Sequence, residues 1–366
     1  WIGYPVLFLV LYLGLYKFVG GFGAGTCVDF IETRIFEEHL NLFVTSLAAK
    51  AIPWTVVREL LVGEYGVFTL GVRYALAIIL PIVTFFFLVF SMIEDSGYLP
   101  RLAMLIDRSF KKMGLSGRAV IPMVLGLGCC TMATMVTRTL PTRRERLIST
   151  ILLALAVPCS AQLGVILALM HDKPGALAVW VSVLALIFLA VGWLAAKILP
   201  GEKPSFYMEL PPLRVPQIIN VAAKTYARVK WYLKEVLPLF LLASVLIWLG
   251  QLTGLFDFAI RALTPPVKML GLPPATAKAF LFGFFRRDYG AAGLYDMAAA
   301  GALDNVQIAV ACVTLTLFLP CIAQLLMNVK ERGIKTGIAI SLFVLVFAFA
   351  AGASVNLVLR GLGVRL

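Results

Sequence analysis

The side chains best suited to metal chemistry are sulfur-bearing residues that stand within apolar stretches of the sequence. Cys129 and Cys130 are adjacent, and Met132 follows them in a run that also holds two glycines. Thiolate and thioether sulfur bind borderline and soft metals. Cys159 and Cys321 each follow a proline, which weakens a helix at that point. These positions predict a metal path, and the structural alternative is that each cysteine only fills space in a helix.

Three carboxylates form a second group of candidate metal ligands. Glu94 and Asp95 directly follow an apolar stretch, and Asp288 lies beside two arginines. Ionisable groups near membrane depth are expensive to bury, so they are candidates for function. The alternative is that these groups only form stabilising ion pairs, Asp288 with a neighbouring arginine and Glu94 with Arg101.

The residues present argue against two other kinds of site. His39 and His171 are the only histidines and are far apart in sequence, so no imidazole cluster for zinc is predicted. The glycine-rich run Gly20–Thr26 lacks the lysine of a phosphate-binding loop, so no nucleotide site is predicted there.

The composition predicts a multi-pass membrane protein. Of the 366 residues, 61% are hydrophobic and only 14% are charged, which a water-soluble protein of this size could not accommodate on its surface. Several stretches reach the roughly 20 apolar residues that a helix needs to cross a bilayer. The six cysteines mostly fall inside such stretches and do not suggest a disulfide framework. The predicted spans are Pro5–Gly20, Arg73–Ile93, Leu147–Met170, Gly175–Ile198, Val236–Leu252, Asn305–Met327 and Lys335–Leu359.

The distribution of basic residues predicts the orientation of these spans. The net charge of +13 arises from Lys and Arg concentrated in the connecting segments 96–146, 199–235 and 329–335. Basic loops mark the cytoplasmic side, so nucleic-acid binding is not predicted. Two Gly-interrupted apolar stretches, Val120–Arg138 and Ala277–Tyr295, are then predicted to enter the membrane and return on the same side.

The sequence also contains an internal repeat. A shift of 157 residues aligns Pro81 with Pro238 and Gly126 with Gly283, and a shift of 162 residues aligns the Pro-Cys-x-Ala-Gln-Leu runs around Cys159 and Cys321. Each copy encloses an odd number of spans, so the second is predicted to run in the opposite direction. The predicted fold is an all-α polytopic membrane protein with two inverted gate-type repeats, interrupted helices and about 7–9 transmembrane segments. This architecture predicts alternating access to a site between the repeats.

The repeat divides the chain into five parts. They are 1–72, with the first transmembrane helix and amphipathic interfacial helices between Cys27 and Tyr65; 73–170, the first gate repeat; 171–235, a transmembrane helix and cytoplasmic linker; 236–327, the second gate repeat; and 328–366, a C-terminal transmembrane helix.

Several runs together resemble the bacterial ferrous iron transporter B family, in its membrane region. They are Glu94–Arg101, Asp107–Arg108, Gly114–Gly117, Gly126–Cys129, Thr137–Leu140, Arg144–Arg146, Pro158–Ala161 and Arg287–Gly293. The resemblance implies that Fe²⁺ is the transported substrate and that Cys129, Cys159 and Cys321 line its path. It also implies a location in the cytoplasmic (inner) membrane.

The resemblance further implies partners outside this sequence. The family carries an N-terminal cytoplasmic GTPase domain, which here would be removed or supplied as a separate chain, so GTP and Mg²⁺ would act only through it. The basic segments Pro100–Arg118 and Pro141–Arg146 are predicted to dock that domain, although they could instead only set topology and bind anionic lipid. A small cytoplasmic accessory protein and a homo-oligomer are further expected partners, and no enzymatic activity is predicted for this chain itself.

Two functional alternatives stay open at the level of sequence. The cargo could be another divalent metal or a nucleoside-like organic solute, since gate-type repeats also resemble those of nucleoside carriers. A membrane anchor without transport is a third class, which the paired interrupted stretches disfavour.

Overall fold

The structure is a computed structural model that describes residues 28, 30–41, 44–46, 55–63, 66–201, 212, 214–318 and 320–361. The predicted first span Pro5–Gly20, the run Gly20–Thr26 and Cys27 lie outside these residues. The region predicted to hold interfacial helices is described in part, as the π-helical segment Phe30–Asn41 and helix α1 (Thr55–Val62).

All regular structure in the described residues is helical, which confirms the predicted all-α class. Helices satisfy their own backbone groups and therefore suit the interior of a bilayer. After the π-helical segments Val67–Val72 and Tyr74–Ile79, the helices are α2 (Leu80–Asp95), α3 (Tyr98–Lys112), α4 (Val120–Gly128), α5 (Cys130–Val136), α6 (Arg143–Leu155), α7 (Ser160–Leu169) and α8 (Pro174–Ile198). They continue with α9 (Ile218–Leu252), α10 (Leu255–Met269), α11 (Thr276–Phe285), α12 (Arg287–Ala299), α13 (Asn305–Leu317), α14 (Ile322–Arg332) and α15 (Ile334–Gly361).

Five helical stretches in the described part of the chain are long and apolar enough to cross a membrane. They are Ala75–Asp95, Arg143–Leu169, Pro174–Ile198, Asn305–Arg332 and Ile334–Gly361. A sixth arises if the bent pair Ser244–Leu252 and Leu255–Met269 forms one span. Five of the six predicted spans that fall within the described residues therefore have a counterpart, and the sixth, Val236–Leu252, has one if the bent pair forms a span. The chain is a multi-pass membrane protein.

By spatial contact the chain forms two units. The first comprises Trp1–Leu102 and Met208–Phe256, and the second comprises Ala103–Tyr207 and Asp257–Leu366. Within the first unit α2 packs along α9 and buries its phenylalanine face. The second unit contains both Gly-interrupted stretches and both Pro-Cys runs.

The two Gly-interrupted stretches are helical hairpins, as the sequence predicts. In the second, α11 and α12 fold back on each other so closely that a Cβ on Gly290 would lie 2.6 Å from the Cα of Gly283. In the first, a Cβ on Gly126 would lie 3.7 Å from that of Ala133, at the equivalent repeat position. Small residues permit this approach of two helices in a membrane.

The repeat is also visible in how two longer helices begin. Thr142 and Glu145 form a capping box at the start of α6, and Asp304 and Gln307 form one at the start of α13. These pairs are related by the 162-residue shift (304 − 142 and 307 − 145). A capping box satisfies backbone N–H groups that the first helical turn leaves unpaired, so both helices begin at a defined residue.

The hairpins pack reciprocally onto helices of the other repeat. Helix α5, from the first repeat, packs on α14 from the second, and α12 from the second repeat packs on α7 from the first. The two copies are therefore interlocked within the second unit, and the four helices converge at the residues that carry sulfur.

Candidate metal path

Each hairpin turns at a single residue rather than at a glycine. Cys129 joins α4 to α5 with φ −148° and ψ 113°, and Arg286 joins α11 to α12 with φ −144° and ψ 116°. These residues occupy the same repeat position (286 − 129 = 157). The nearly identical extended backbone at both turns shows that the repeat preserves the hairpin geometry. The side chain at the turn differs between the copies, a thiol in the first and a guanidinium in the second.

Three cysteines stand directly before a helix in this region. Cys129 precedes α5, Cys159 precedes α7 and Cys321 precedes α14, and none of the three caps its helix through a side-chain hydrogen bond. All three are partly accessible, whereas Cys130 and Cys312 are buried. The unpaired N–H groups of a first helical turn favour negatively charged atoms. The three sulfurs, which come from both repeats, therefore lie at partly accessible positions where a negatively charged thiolate is favoured.

The two repeats touch through these sulfurs. The Sγ atom of Cys321 lies 4.0 Å from the hydroxyl of Thr131 in the first hairpin. Beside it, the Cys130 thiol lies 3.2 Å from the carbonyl of Val157 and 3.4 Å from that of Gly126, within reach as a donor. Cys130 thus faces backbone acceptors, while its neighbour Cys129 remains partly accessible.

A buried arginine lies next to this group. Arg287 is 4% exposed, and its guanidinium donates to the carbonyls of Val157 at 3.2 Å and Ala154 at 3.0 Å. The carbonyl of Ala154 has no helical partner because the residue four positions on is Pro158, which cannot donate a hydrogen bond, and Val157 lies beyond the end of α6 at Leu155. A guanidinium nitrogen also lies 3.8 Å from the Sγ atom of Cys130.

Asp288, the acidic candidate of the second unit, is paired. Asp288 accepts hydrogen bonds from Arg286 at 2.6 and 3.3 Å, and the Arg286 guanidinium also stacks on the ring of Tyr289 at 3.6 Å. The ion-pair alternative considered for Asp288 is therefore observed.

Glu94 and Asp95 belong to the first unit and lie in a network of basic residues. Asp95 is bonded to Arg214 at 2.9 Å and accepts the backbone N–H of Gln217 at the start of α9. Glu94 is paired with Arg228 and with Lys224. The expected partner Arg101 was wrong, since its guanidinium donates instead to the carbonyl of Gly97 at 2.9 Å.

Met132 is buried on α5. In the part of the chain that the structure describes, no group of three or more His, Cys, Asp or Glu side chains converges closely enough to hold a metal ion. The structure brings the candidate sulfurs into one region and leaves Glu94 and Asp95 in the other unit.

Sequence reasoning missed two residues of this region. Arg287 was considered only as a partner of Asp288, although the 157-residue shift aligns it with Cys130 and could have drawn attention to it. Gln162 was visible in the aligned Pro-Cys runs, and its amide donates to the carbonyl of Leu315 in the other repeat at 3.3 Å.

The basic segment after the first hairpin is only partly free. Arg144 donates to the carbonyls of Ala196 and Gly201, and Arg146 donates to that of Leu140 at 2.7 Å. Arg143 is exposed, as are Arg108 and Lys112 on α3. Lys111 is exposed as well but is paired with Asp107, so Arg108, Lys112 and Arg143 are the exposed basic residues of these segments for which no ion pair is described.

Comparison with known families agrees with this arrangement. The gate family model, described as "Nucleoside recognition", matches residues 76–173 and 233–335, which is more than half of the chain. The model described as "Ferrous iron transport protein B C terminus" matches residues 177–228, between the two gate matches. This chain belongs to the ferrous iron transporter B family.

Relatives within the ferrous iron transporter B family are found in bacteria and archaea. The "Fe(2+) transporter FeoB" of Staphylococcus aureus (strain COL) is 34% identical over 190 residues, covering 50% of this chain and 28% of that protein. That of Methanocaldococcus jannaschii is 26% identical over 319 residues, covering 78% of this chain and 48% of that protein. A "Fe(2+) transport protein A/Fe(2+) transporter FeoB fusion protein" of Porphyromonas gingivalis is 29% identical over 256 residues, covering 68% and 28%.

The chain thus spans less than half of the length of these curated relatives. No solved structure matches it.

Proposed function

We propose that this chain carries Fe²⁺ across the cytoplasmic membrane along the path marked by Cys129, Cys159 and Cys321. The observation that carries the proposal is the placement of these sulfurs, each partly accessible and each directly before a helix where the chain breaks. They come from both repeats of a membrane-spanning bundle. The relatives named as Fe(2+) transporters support iron as the cargo.

The cysteines would bind the metal one after another. In the described residues no three candidate ligands converge on one point, so the ion would pass from sulfur to sulfur rather than rest in a closed site. The permanent positive charge of Arg287, 3.8 Å from the Sγ atom of Cys130, would offset the negative charge of a metal-bound thiolate in this region, where net charge is expensive. Fe²⁺ is accordingly cargo that binds transiently.

Energy and control would come from a partner. A cytoplasmic GTPase, supplied as a domain or a separate chain, would bias the hairpins between two arrangements if it binds them with different affinity. Exposed Arg108, Lys112 and Arg143 offer positive charge for its docking. The relative that is fused to Fe(2+) transport protein A supports a small accessory protein as a further partner. Charge reversal at Arg143 would weaken such docking without removing a backbone contact, unlike reversal at Arg144 or Arg146.

Serine substitution of the cysteines tests the path. Cys129→Ser, Cys159→Ser and Cys321→Ser should each lower Fe²⁺ uptake into vesicles by about tenfold or more, because a hydroxyl is a poorer ligand than a thiolate for this metal. The matched control is Cys312→Ser, since Cys312 is buried in α13 away from the helix breaks. Uptake would be compared for Fe²⁺, Mn²⁺, Zn²⁺ and a nucleoside.

The outcome separates the candidate cargoes. Unchanged Fe²⁺ uptake in all three variants would remove the sulfur path. Uptake of the nucleoside, with none of any metal, would replace iron transport by transport of an organic solute.

A further inference from the structure

Two buried amide side chains on α14 lack any hydrogen-bond partner. Gln324 and Asn328 are both 0% exposed, and neither the nitrogen nor the oxygen of either amide is bonded. An unpaired amide in a protein interior destabilises the fold, and buried polar groups are almost always paired. Two such groups one helical turn apart therefore indicate that something polar occupies their surroundings during function.

The amides share one face of α14 with the sulfur that precedes it. Cys321, Gln324 and Asn328 are spaced i, i+3 and i+7, which places them along one stripe of a helix. At the first end of this stripe the Cys321 sulfur lies 4.0 Å from Thr131. At the far end Arg332 donates to Thr137, which directly follows α5. Because both ends of the stripe contact the first hairpin, the amides between them face α5.

Helix α5 presents hydroxyls to the same interface. Thr131 and Thr134 are buried and lie on one face of α5, and the hydroxyl of Thr134 donates to the carbonyl of Cys130 at 2.9 Å. Its oxygen thus keeps lone pairs available as an acceptor. We call Thr131, Thr134, Gln324 and Asn328, between α5 and α14, the amide seam. It begins at the sulfurs and is lined by hydroxyl and amide groups.

The far end of the amide seam reaches the protein surface. Arg138 and Glu331 form an ion pair there, with Arg138 Nε 2.9 Å from both carboxylate oxygens. The Arg138 side chain is 43% exposed, while that of Glu331 is 6% exposed. If this pair opened, the negative charge of the Glu331 carboxylate would attract a cation to the outer end of the seam.

The related interface between α7 and α12 has a different character. By the same shifts, Asn328 corresponds to Ile166, Thr134 to Ala291 and Thr137 to Leu294. These three are apolar, each 0 or 1% exposed. The other two seam positions are polar here as well: Gln324 corresponds to Gln162, whose amide donates to the carbonyl of Leu315, and Thr131 corresponds to Asp288, which is paired with Arg286.

We propose that the amide seam is a hydrophilic conduit for a divalent metal ion that keeps part of its water shell between the sulfurs and the end of α14. The proposal rests on the proposed function and adds the route to it. Amide and hydroxyl oxygens replace water around such an ion, as they do in other conducting pores. At the interface of α7 and α12, apolar Ile166 and Ala291 replace Asn328 and Thr134, and the Asp288 carboxylate is paired with Arg286. The corresponding route on the other repeat is therefore closed, and the conduit serves one side of the site.

The double variant Gln324→Leu/Asn328→Leu tests the conduit. Fe²⁺ uptake by the full chain in vesicles should fall about tenfold or more, because contacts to a charged cargo are lost. The unfolding temperature should stay equal or rise, because leucine removes amides that have no partner in the structure. Loss of uptake in a protein of undiminished stability separates a conduit from a structural role. Uptake equal to that of the wild type would overturn the proposal.

A second readout does not depend on iron. Asn328→Cys should react with a small charged thiol reagent, and Ile166→Cys should not, with labelling at each position identified by mass spectrometry. Equal labelling at both positions, or none at 328, would overturn the conduit. If the wild type takes up no metal while position 328 is labelled selectively, the transport proposal fails and the polar seam stands.

Discussion

At the scale of single residues, the repeat places different chemistry at equivalent positions. Cys130 and Arg287 are related by the 157-residue shift, and both lie near the carbonyl of Val157. One copy supplies a neutral thiol and the other a permanent cation. The pseudo-symmetric centre is thus electrostatically asymmetric, which a pair of identical repeats could not achieve.

Arg287 can be tested by substitution. Arg287→Met keeps much of the aliphatic volume but leaves the carbonyl of Ala154 unpaired and that of Val157 with only the Cys130 thiol, so it should lower the free energy of unfolding by about 1–3 kcal/mol. Arg287→Lys should recover only part of this, because one ammonium cannot fork across two acceptors as guanidinium does. Thermal unfolding in detergent measures both. Equal stability of the Lys variant and the wild type would show that charge alone matters there.

The sulfur group could be predicted from sequence, but its neighbours could not. Cys159 and Cys321 were recognisable because the repeat brings equivalent residues together. Glu94 pairs with Lys224 and Arg228, which lie far along the chain on α9, and no local spacing pointed to them. The contact between Arg287 and Cys130 depends on how the hairpins cross between repeats, which a linear alignment does not contain.

At the scale of helices, the predicted hairpins are present but turn for a different reason. The Gly-interrupted pattern points to breaks at the glycines, whereas the turns lie at Cys129 and Arg286 in extended conformation. Gly283 and Gly290 instead allow the two arms to touch. A glycine in the sequence is compatible with either a break in the helix or close packing of two helices. Only the three-dimensional pairing of the arms shows which of the two applies.

The two capping boxes give a matched test of helix starts. Thr142→Ala and Asp304→Ala should each lower the free energy of unfolding by about 1 kcal/mol, because a side-chain acceptor for the first helical turn is lost. Thr142→Ser keeps that acceptor and is the control. Thermal unfolding of the three variants would be compared. If Thr142→Ala were as stable as Thr142→Ser, the capping box would not contribute to stability.

At the scale of the whole molecule, the reciprocal packing of hairpins is what a two-fold relation between repeats produces. If the second repeat is inverted, as predicted, the connections after α7 and α14 lie on opposite sides of the membrane. The exposed Asp172 follows α7, and the exposed Lys335 follows α14. The more basic surroundings of Lys335 predict that it lies in the cytoplasm.

Labelling from the two sides of the membrane tests this inversion. Asp172→Cys should react with an impermeant thiol reagent added to intact cells, and Lys335→Cys should react only in inverted vesicles. Both positions are exposed, Asp172 in the turn after α7 and Lys335 in the first turn of α15, so insertion should be unaffected. Reaction of both positions from the same side would mean that the repeats run in parallel.

The exchange of hairpins between repeats has a consequence for how the protein is made. Helix α5 finds its packing partner α14 only after residues 137–321 have been synthesised, and α7 must likewise wait for α12. Until then Cys129, Cys130 and the amide-facing side of α5 lack their cover. The first repeat therefore inserts as an incomplete half, and the sulfur region is assembled last, when the second repeat closes over it.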